Sequence, residues 1–232
     1  MKKSLFLAAA LAVTASSQAA LVYDTVSTSA GFTFYSGPGN AHVMDNFLFP
    51  TNDPQLVDGF AIVLFADSAD NFSDVTVDFA FHNEVTGVNP TDPILGNPPV
   101  ASFSVNFGTF TSTGAGNGAL FSVTGLNFVM PSTTSSLAVE ATVSSTSDLG
   151  GNMTFGYADT ITAVGSSNNG FGVDLNEDTT ITVDEFVSFA SPTSGQWNLA
   201  MQIDASPVPE PATMLGLGAL GAGILARRRR KS

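Results

Sequence analysis

The twelve residues from Asp174 to Glu185 place hard oxygen donors at regular intervals. Asp174, Asn176 and Asp178 stand first, third and fifth, Thr180 can offer its carbonyl at the seventh place, and Glu185 closes the run at the twelfth. Ca²⁺ takes about six to eight oxygens in a flexible shell, and a chain wrapped around the ion at this spacing could supply them. Ile181, at the eighth place, is apolar. The alternative is an acidic hairpin or turn that holds no metal.

The segment resembles a single EF-hand or dockerin-type calcium repeat, which implies calcium as cofactor and no other. It departs from that pattern at the sixth place, where Thr179 stands instead of the glycine that permits a sharp turn. No helix is expected before it, because residues 165–172 are rich in Gly, Ser and Asn. The segment after it reads two ways. Thr182 and Glu185 could form a capping box with Val183, Phe186, Val187 and Ala190 on one helical face. Ile181, Val183, Val187 and Phe189 suit a strand equally well.

Other chemistry is sparse. Asp67, Asp70, Asp74 and Asp78 form a second acidic cluster, which reads as a solvated loop leading into a strand. His42 and His82 are the only histidines, and each lies in a strand-like run as a surface or satisfied side chain rather than a base. There is no Gly-x-Ser-x-Gly elbow and no His-Glu-x-x-His, so no catalytic residue is assigned and a non-enzymatic protein is expected. A hydrolase using two carboxylates stays open as a lesser alternative, since the abundance of acids singles out no pair. Trp197 falls in an alternating run and reads as core rather than as a sugar platform.

Charge limits the partners. Every Lys and Arg sits at an end (Lys2, Lys3, Arg227 to Arg230, Lys231), and none lies between Ser4 and Ala226. Of 20 acids, 19 lie between Asp24 and Asp204, so the body carries about −19 with no fixed cation. Nucleic-acid binding lacks its basic footprint, and phosphate sites lack a Lys or Arg clamp. With no cysteine, disulfides, thiolate metal sites and thiol catalysis are excluded.

The two ends read as addresses. Met1 to Ser4 is a positive start, Leu5 to Val13 an unbroken apolar run, and Ser17-Gln18-Ala19 a small-residue cleavage site. That is a signal peptide over 1–19, cut after Ala19 and exported through the Sec translocon. The C-terminus runs Val208-Pro209-Glu210-Pro211, then apolar residues 212–226, then the basic run 227–231. As a helix the apolar stretch spans ~22 Å, short of a ~30 Å hydrocarbon core, yet snorkelling arginines can hold it in a membrane. This three-part tail, 207–232, resembles the PEP-CTERM sorting signal of Gram-negative bacteria. The resemblance implies an exosortase as partner, cleavage at the motif, transient anchoring in the inner membrane, and a mature protein at the cell surface or outside the cell. It also implies company with exopolysaccharide.

The elements that must position any site lie in residues 20–206. Val75, Val77, Phe79 and Phe81 take every second place, as do Phe103, Val105 and Phe107; Leu137, Val139, Ala141 and Val143; and Trp197, Leu199, Met201 and Ile203. Period two over such runs predicts half-buried strands. Residues 60–65 are apolar throughout, which predicts a central strand covered on both faces. With 21–26, 32–35, 42–49, 120–129 and 153–157, about eleven short strands are expected, in an all-β, single β-sandwich of jelly-roll type. The expected function is an exported surface or matrix structural protein. The alternative is a carbohydrate-binding or adhesive module, with calcium as its candidate cofactor.

Overall fold

The computed structural model describes residues 19–27, 29, 31–34, 42–83, 98–131, 137–159, 165, 171–187 and 197–208. The expected signal peptide through residue 18, the Pro-rich stretch 84–97, and the tail from Pro209 onward lie outside the described residues. Among the described residues no helix is long and apolar enough to cross a membrane.

The chain runs through β1 (Ala20–Asp24), β2 (Phe32–Phe34), β3 (His42–Phe47), β4 (Gln55–Ala66), β5 (Ala69–His82), β6 (Ala101–Asn106) and β7 (Phe110–Thr113). It continues through β8 (Gly118–Met130), β9 (Leu137–Ser147), β10 (Met153–Ala158), β11 (Phe171–Val173), a 3₁₀ turn (Val183–Glu185), β12 (Phe186–Val187), β13 (Asn198–Leu199) and β14 (Met201–Pro207). These build two antiparallel seven-stranded sheets. In the first, β1 pairs with β14, β14 with β4, and β4 with β8; β10 follows β14 along β4 and carries β2 and β13. In the second the order is β12-β11-β3-β9-β5, and β6 and β7 share the far edge of β5.

Alternation explains which face each strand buries. Phe72, Val77, Phe79 and Phe81 of β5 and Val139, Ala141 and Val143 of β9 point into one core with Phe60, Ile62 and Leu64 of β4. Ring contacts bridge the sheets: Phe60 to Phe79 at 4.7 Å, Phe81 to Phe128 at 4.8 Å, and Tyr23 to Phe47 at 5.4 Å between centroids. The expected central strand is β4. The same residues of β4 pair with β8 on one side and with β14 on the other, and residues 60–64 are buried throughout. Phe65, on its outer face, lies over two glycines. A Cβ on Gly118 or Gly156 would come within 2.6 or 2.7 Å of the Phe65 ring, so only glycine fits at either place.

Ala20 pairs with Ala205, so the first strand begins beside the last, and β14 runs to Pro207. Both ends of the described chain therefore leave from one end of the first sheet.

Two expectations fail here. β7 and β11 were not foreseen, because β7 has a single apolar residue, Phe110, and β11 begins within a Gly-, Ser- and Asn-rich stretch. The second acidic cluster is not a solvated loop throughout either, since Asp70 is buried. Asp24, Asp45, Asp70, Asp159, Asp174 and Glu185 are buried. Asp70 lies inside β5 and accepts hydrogen bonds from Ser147 Oγ, from the Leu149 and Gly151 N–H groups, and from Asn71 N–H. Asp67 accepts from the backbone and side-chain N–H of Asn152. In a body without Lys or Arg, backbone and amide donors take the place of cations. These two carboxylates clamp the β9–β10 turn.

Candidate functional site

β11 delivers Asp174 to the edge of β3, where its N–H donates to the His42 carbonyl at 3.2 Å. From there the chain turns around its own carboxylates. Asp174 Oδ1 accepts from Asp178 N–H at 3.1 Å and Oδ2 from Thr179 N–H at 2.8 Å. Asn176 Oδ1 accepts from Asp178 N–H at 3.0 Å, and Asp178 Oδ1 from Thr180 N–H at 2.9 Å. Glu185 reaches back across the loop. Its Oε1 accepts from Asn176 N–H at 3.2 Å, and its Oε2 from the N–H and hydroxyl of Thr182 at 2.9 and 3.0 Å.

That last pair is the side-chain half of a capping box. It starts one 3₁₀ turn, and β12 follows at once, so both expectations for this segment hold in part. The missing glycine is met by strain. Thr179 sits at φ 69° and Glu177 at φ 60°, left-handed values that cost a β-branched residue most. Ile181 is buried and packs on Gly172, where a Cβ would come within 2.6 Å of its Cγ2. Thus Asp174 and Glu185 are buried in the loop, Asn176 and Asp178 are exposed and bonded to its N–H groups, and Thr180 enters it through its N–H. Among the described residues no three His, Cys, Asp or Glu side chains are grouped to hold a metal ion. The loop oxygens are occupied by backbone donors instead. A carboxylate has about four lone-pair sites, so these bonds leave acceptor capacity for an ion.

The two histidines complete the site, and the sequence reading did not join them. His42 Nε2 lies 2.9 Å from Glu140 Oε1, His42 Nδ1 3.2 Å from Asp174 Oδ2, and His82 Nε2 3.2 Å from Glu140 Oε2. A neutral imidazole has one N–H, whereas His42 stands between two carboxylates, so both contacts become hydrogen bonds only in the imidazolium. Burial opposes that charge, but bonds to Glu140 and then Asp174 outweigh it and raise the His42 pKa. The bonds from His42 and His82 hold Glu140 down to about 2, against the cost of burial. These are the only cation-forming side chains among the described residues, and both are directed at one glutamate.

The pH dependence follows from the signs. Glu140 contributes stability above its ordinary value of 4.5, and loses it as pH falls through about 2. His42 contributes below 6.5 and loses its share as pH rises through its raised folded value. Glu140→Gln is expected to flatten the acid limb of a denaturation series taken from pH 6 to 2. The loss should be about 1–2 kcal/mol, discounted for the water that reaches the group. An unchanged acid limb would contradict the network.

Beside it the outer face of the second sheet forms a groove of about 440 Å³. Strand register sets its lining. His42, Thr142, Asp78 and Ser104 stand in one row across β3, β9, β5 and β6, and Glu140, Ala80 and Ser102 in the next. Ala80 leaves the hollow, with hydroxyls and carboxylates around it.

On the opposite, inward face of β3 lies Asp45, fully buried, with Oδ2 accepting from Leu199 N–H of the other sheet at 2.8 Å. Burial pushes its carboxyl well above the ordinary range, and that bond only partly offsets it. It joins the sheets rather than the groove.

The tail carries the decisive comparison. Val208, the first residue of the expected sorting motif, donates its N–H to the Pro54 carbonyl at 3.0 Å, immediately past β14. Pro209, Glu210 and Pro211 lie outside the described residues. Residues 207–231 match the family model of the PEP-CTERM protein-sorting motif. The tail is a PEP-CTERM sorting signal. The signal implies an exported protein of a Gram-negative cell, sorted through the membrane and processed by an exosortase. No curated protein and no solved structure matches the chain.

Proposed function

We propose that this is an exported, non-enzymatic structural protein of the cell surface or extracellular matrix, associated with exopolysaccharide. The observation that carries the proposal is the sorting signal at residues 207–231. The body is read as a jelly roll, on the order β1-β14-β4-β8 facing β3-β9-β5-β6. The pairing of β1 with β14 suits a body delivered from a membrane, since leader and tail would both depart from one end.

Mass spectrometry of the exported protein is the test. The mature chain is expected to begin at Ala20 and to lack the basic run. With no Lys or Arg left, it should also resist trypsin even when denatured. A mature chain still ending at Ser232 would defeat the processing.

The groove favours a second reading, a carbohydrate-binding module. Its row of serine and threonine hydroxyls and carboxylates can bond sugar hydroxyls, and its negative charge disfavours acidic polymers. Calcium held by Asp174, Asn176, Asp178, Thr180 and Glu185 would support this face through His42. Glycan binding abolished by a chelator would separate this role from a passive one. Glycoside hydrolysis fits less well. It needs a carboxyl kept protonated near neutral pH, and Glu140 is held the opposite way.

A further inference from the structure

Between Asp92 and Glu140 the chain has no Asp, Glu, Lys, Arg or His, although the body around it carries about −19. The fold gathers this segment on one flank. Apart from Leu137–Val139, which open the central strand β9, its strands are β6, β7 and β8, and among the described residues each pairs on one side only: β6 and β7 with β5, and β8 with β4.

β8 is the longer and more apolar edge. From Gly118 to Thr124 it pairs with β4 without interruption. A bulge then follows, where the register shifts and Gly125 and Asn127 take φ 80° and 51°. The outer face of this edge is uncharged and mixed, with Leu120, Ser122 and Thr124 exposed in turn. Leu120 is 48% and Val129 45% exposed, and Leu120 stands opposite buried Val63.

Edge strands are ordinarily protected by Lys, inward charges, Pro or cover, because their free N–H and C=O groups template another strand. β8 has none of the first three, and the bulge protects only its second half. What the rest of the surface carries decides the occupant. Two copies approaching through the acidic strands bring carboxylates together with no Lys or Arg to compensate, and the other uncharged edge, β6 and β7, is split into strands of six and four residues. Approaching through β8, they meet without like charges and can satisfy both rows of backbone groups.

We infer that β8 is a self-association edge, on which residues 118–124 of one copy pair with the same strand of a second copy. The inference rests on strand pairing and charge pattern, and does not depend on the route of export or on a bound ligand. An interface of this kind has a distinctive salt dependence. Salt shortens the range of body–body repulsion, from about 10 Å at 0.1 M to about 3 Å at 1 M, and leaves the backbone bonds intact. Association therefore strengthens with ionic strength, whereas an ion-paired interface would weaken.

The absence of cysteine allows a direct test in the full-length chain, expressed in a cell that exports it. Leu120→Cys, Ser122→Cys and Thr124→Cys are oxidised separately and compared with Leu149→Cys, an 81% exposed site on the β9–β10 turn. A disulfide needs Cα atoms about 4.4–6.8 Å apart, so only adjacent strands link efficiently. At least one edge variant is expected to give a covalent dimer at about fivefold or more the yield of Leu149→Cys. That yield should rise with salt and fall severalfold when Leu120→Asp or Ser122→Asp is added at a neighbouring position. Circular dichroism establishes that each variant keeps its strands. Edge yields no higher than the control, or dimers indifferent to the added charge in folded protein, would overturn the inference. So would cross-links predominantly to a different protein.

Discussion

Phe81→Ala is expected to lower stability by about 3–5 kcal/mol, the usual range for removing a large aromatic ring from a packed core. Phe81 is fully buried near the end of β5. Its ring lies 5.7 Å from Phe60, 5.9 Å from Phe79 and 4.8 Å from Phe128, so it is shared by strands of both sheets. The cavity would open where the sheets meet, between backbones already fixed by ladders on both sides, and the walls cannot easily collapse into it. For a body of this size each kcal/mol moves the melting temperature by about 2–4 °C, which gives a loss of about 6–20 °C. Leu149→Ala, at an exposed turn, serves as control and should stay within about 0.5 kcal/mol. A loss below about 1 kcal/mol for Phe81→Ala would mean that the sheets do not share this core. The contrast matters because the only ion pairs among the described residues involve His42 and His82. Core packing and ladder hydrogen bonds must hold this body together.

Calcium at about a hundred times its dissociation constant is expected to stabilise the protein by about 2.7 kcal/mol. That corresponds to about 5–10 °C in melting temperature. The readout is the calcium-dependent shift and not the melting temperature itself. Asp174→Ala also removes acceptors for Thr179, Asp178 and His42, and Glu185→Ala removes the ties to Asn176 and Thr182. The double variant should therefore melt lower without calcium and show no shift with it. Magnesium should substitute poorly, because it demands a tighter octahedral shell than this long loop provides. A wild-type protein whose melting is indifferent to calcium would dispose of the metal reading. The loop would then remain what its hydrogen bonds already make it, a turn wound on its own carboxylates.

Much of the fold was legible because its signals are local. Period two in residues 75–81 and 137–143 gave strands with the buried face correctly assigned, and Leu199, Met201 and Ile203 lie in the core as their spacing predicts. The unbroken apolar run at 60–65 marked the strand that two neighbours enclose. The calcium-type spacing was legible too, and so was the difficulty at Thr179, which the structure meets with a left-handed backbone. Asp70 was misread because a carboxylate in a polar stretch looks solvated until its backbone donors arrive from the turn beyond β9. The grouping of His42, His82, Glu140 and Asp174 left no trace in the sequence. Its members are separated by up to 132 residues, and only strand register brings them together.

The sequence by itself determined the class of body, the sorting signal and the absence of fixed cations, because each is a property of residue type and short spacing. The tertiary structure decided where the charges meet and where they do not. Antiparallel register set both histidines on one glutamate and His42 on Asp174. The path of the chain put most of an uncharged segment along two edges that, among the described residues, are paired on one side only. Long-range pairing depends on which strands become neighbours, and no local pattern encodes that.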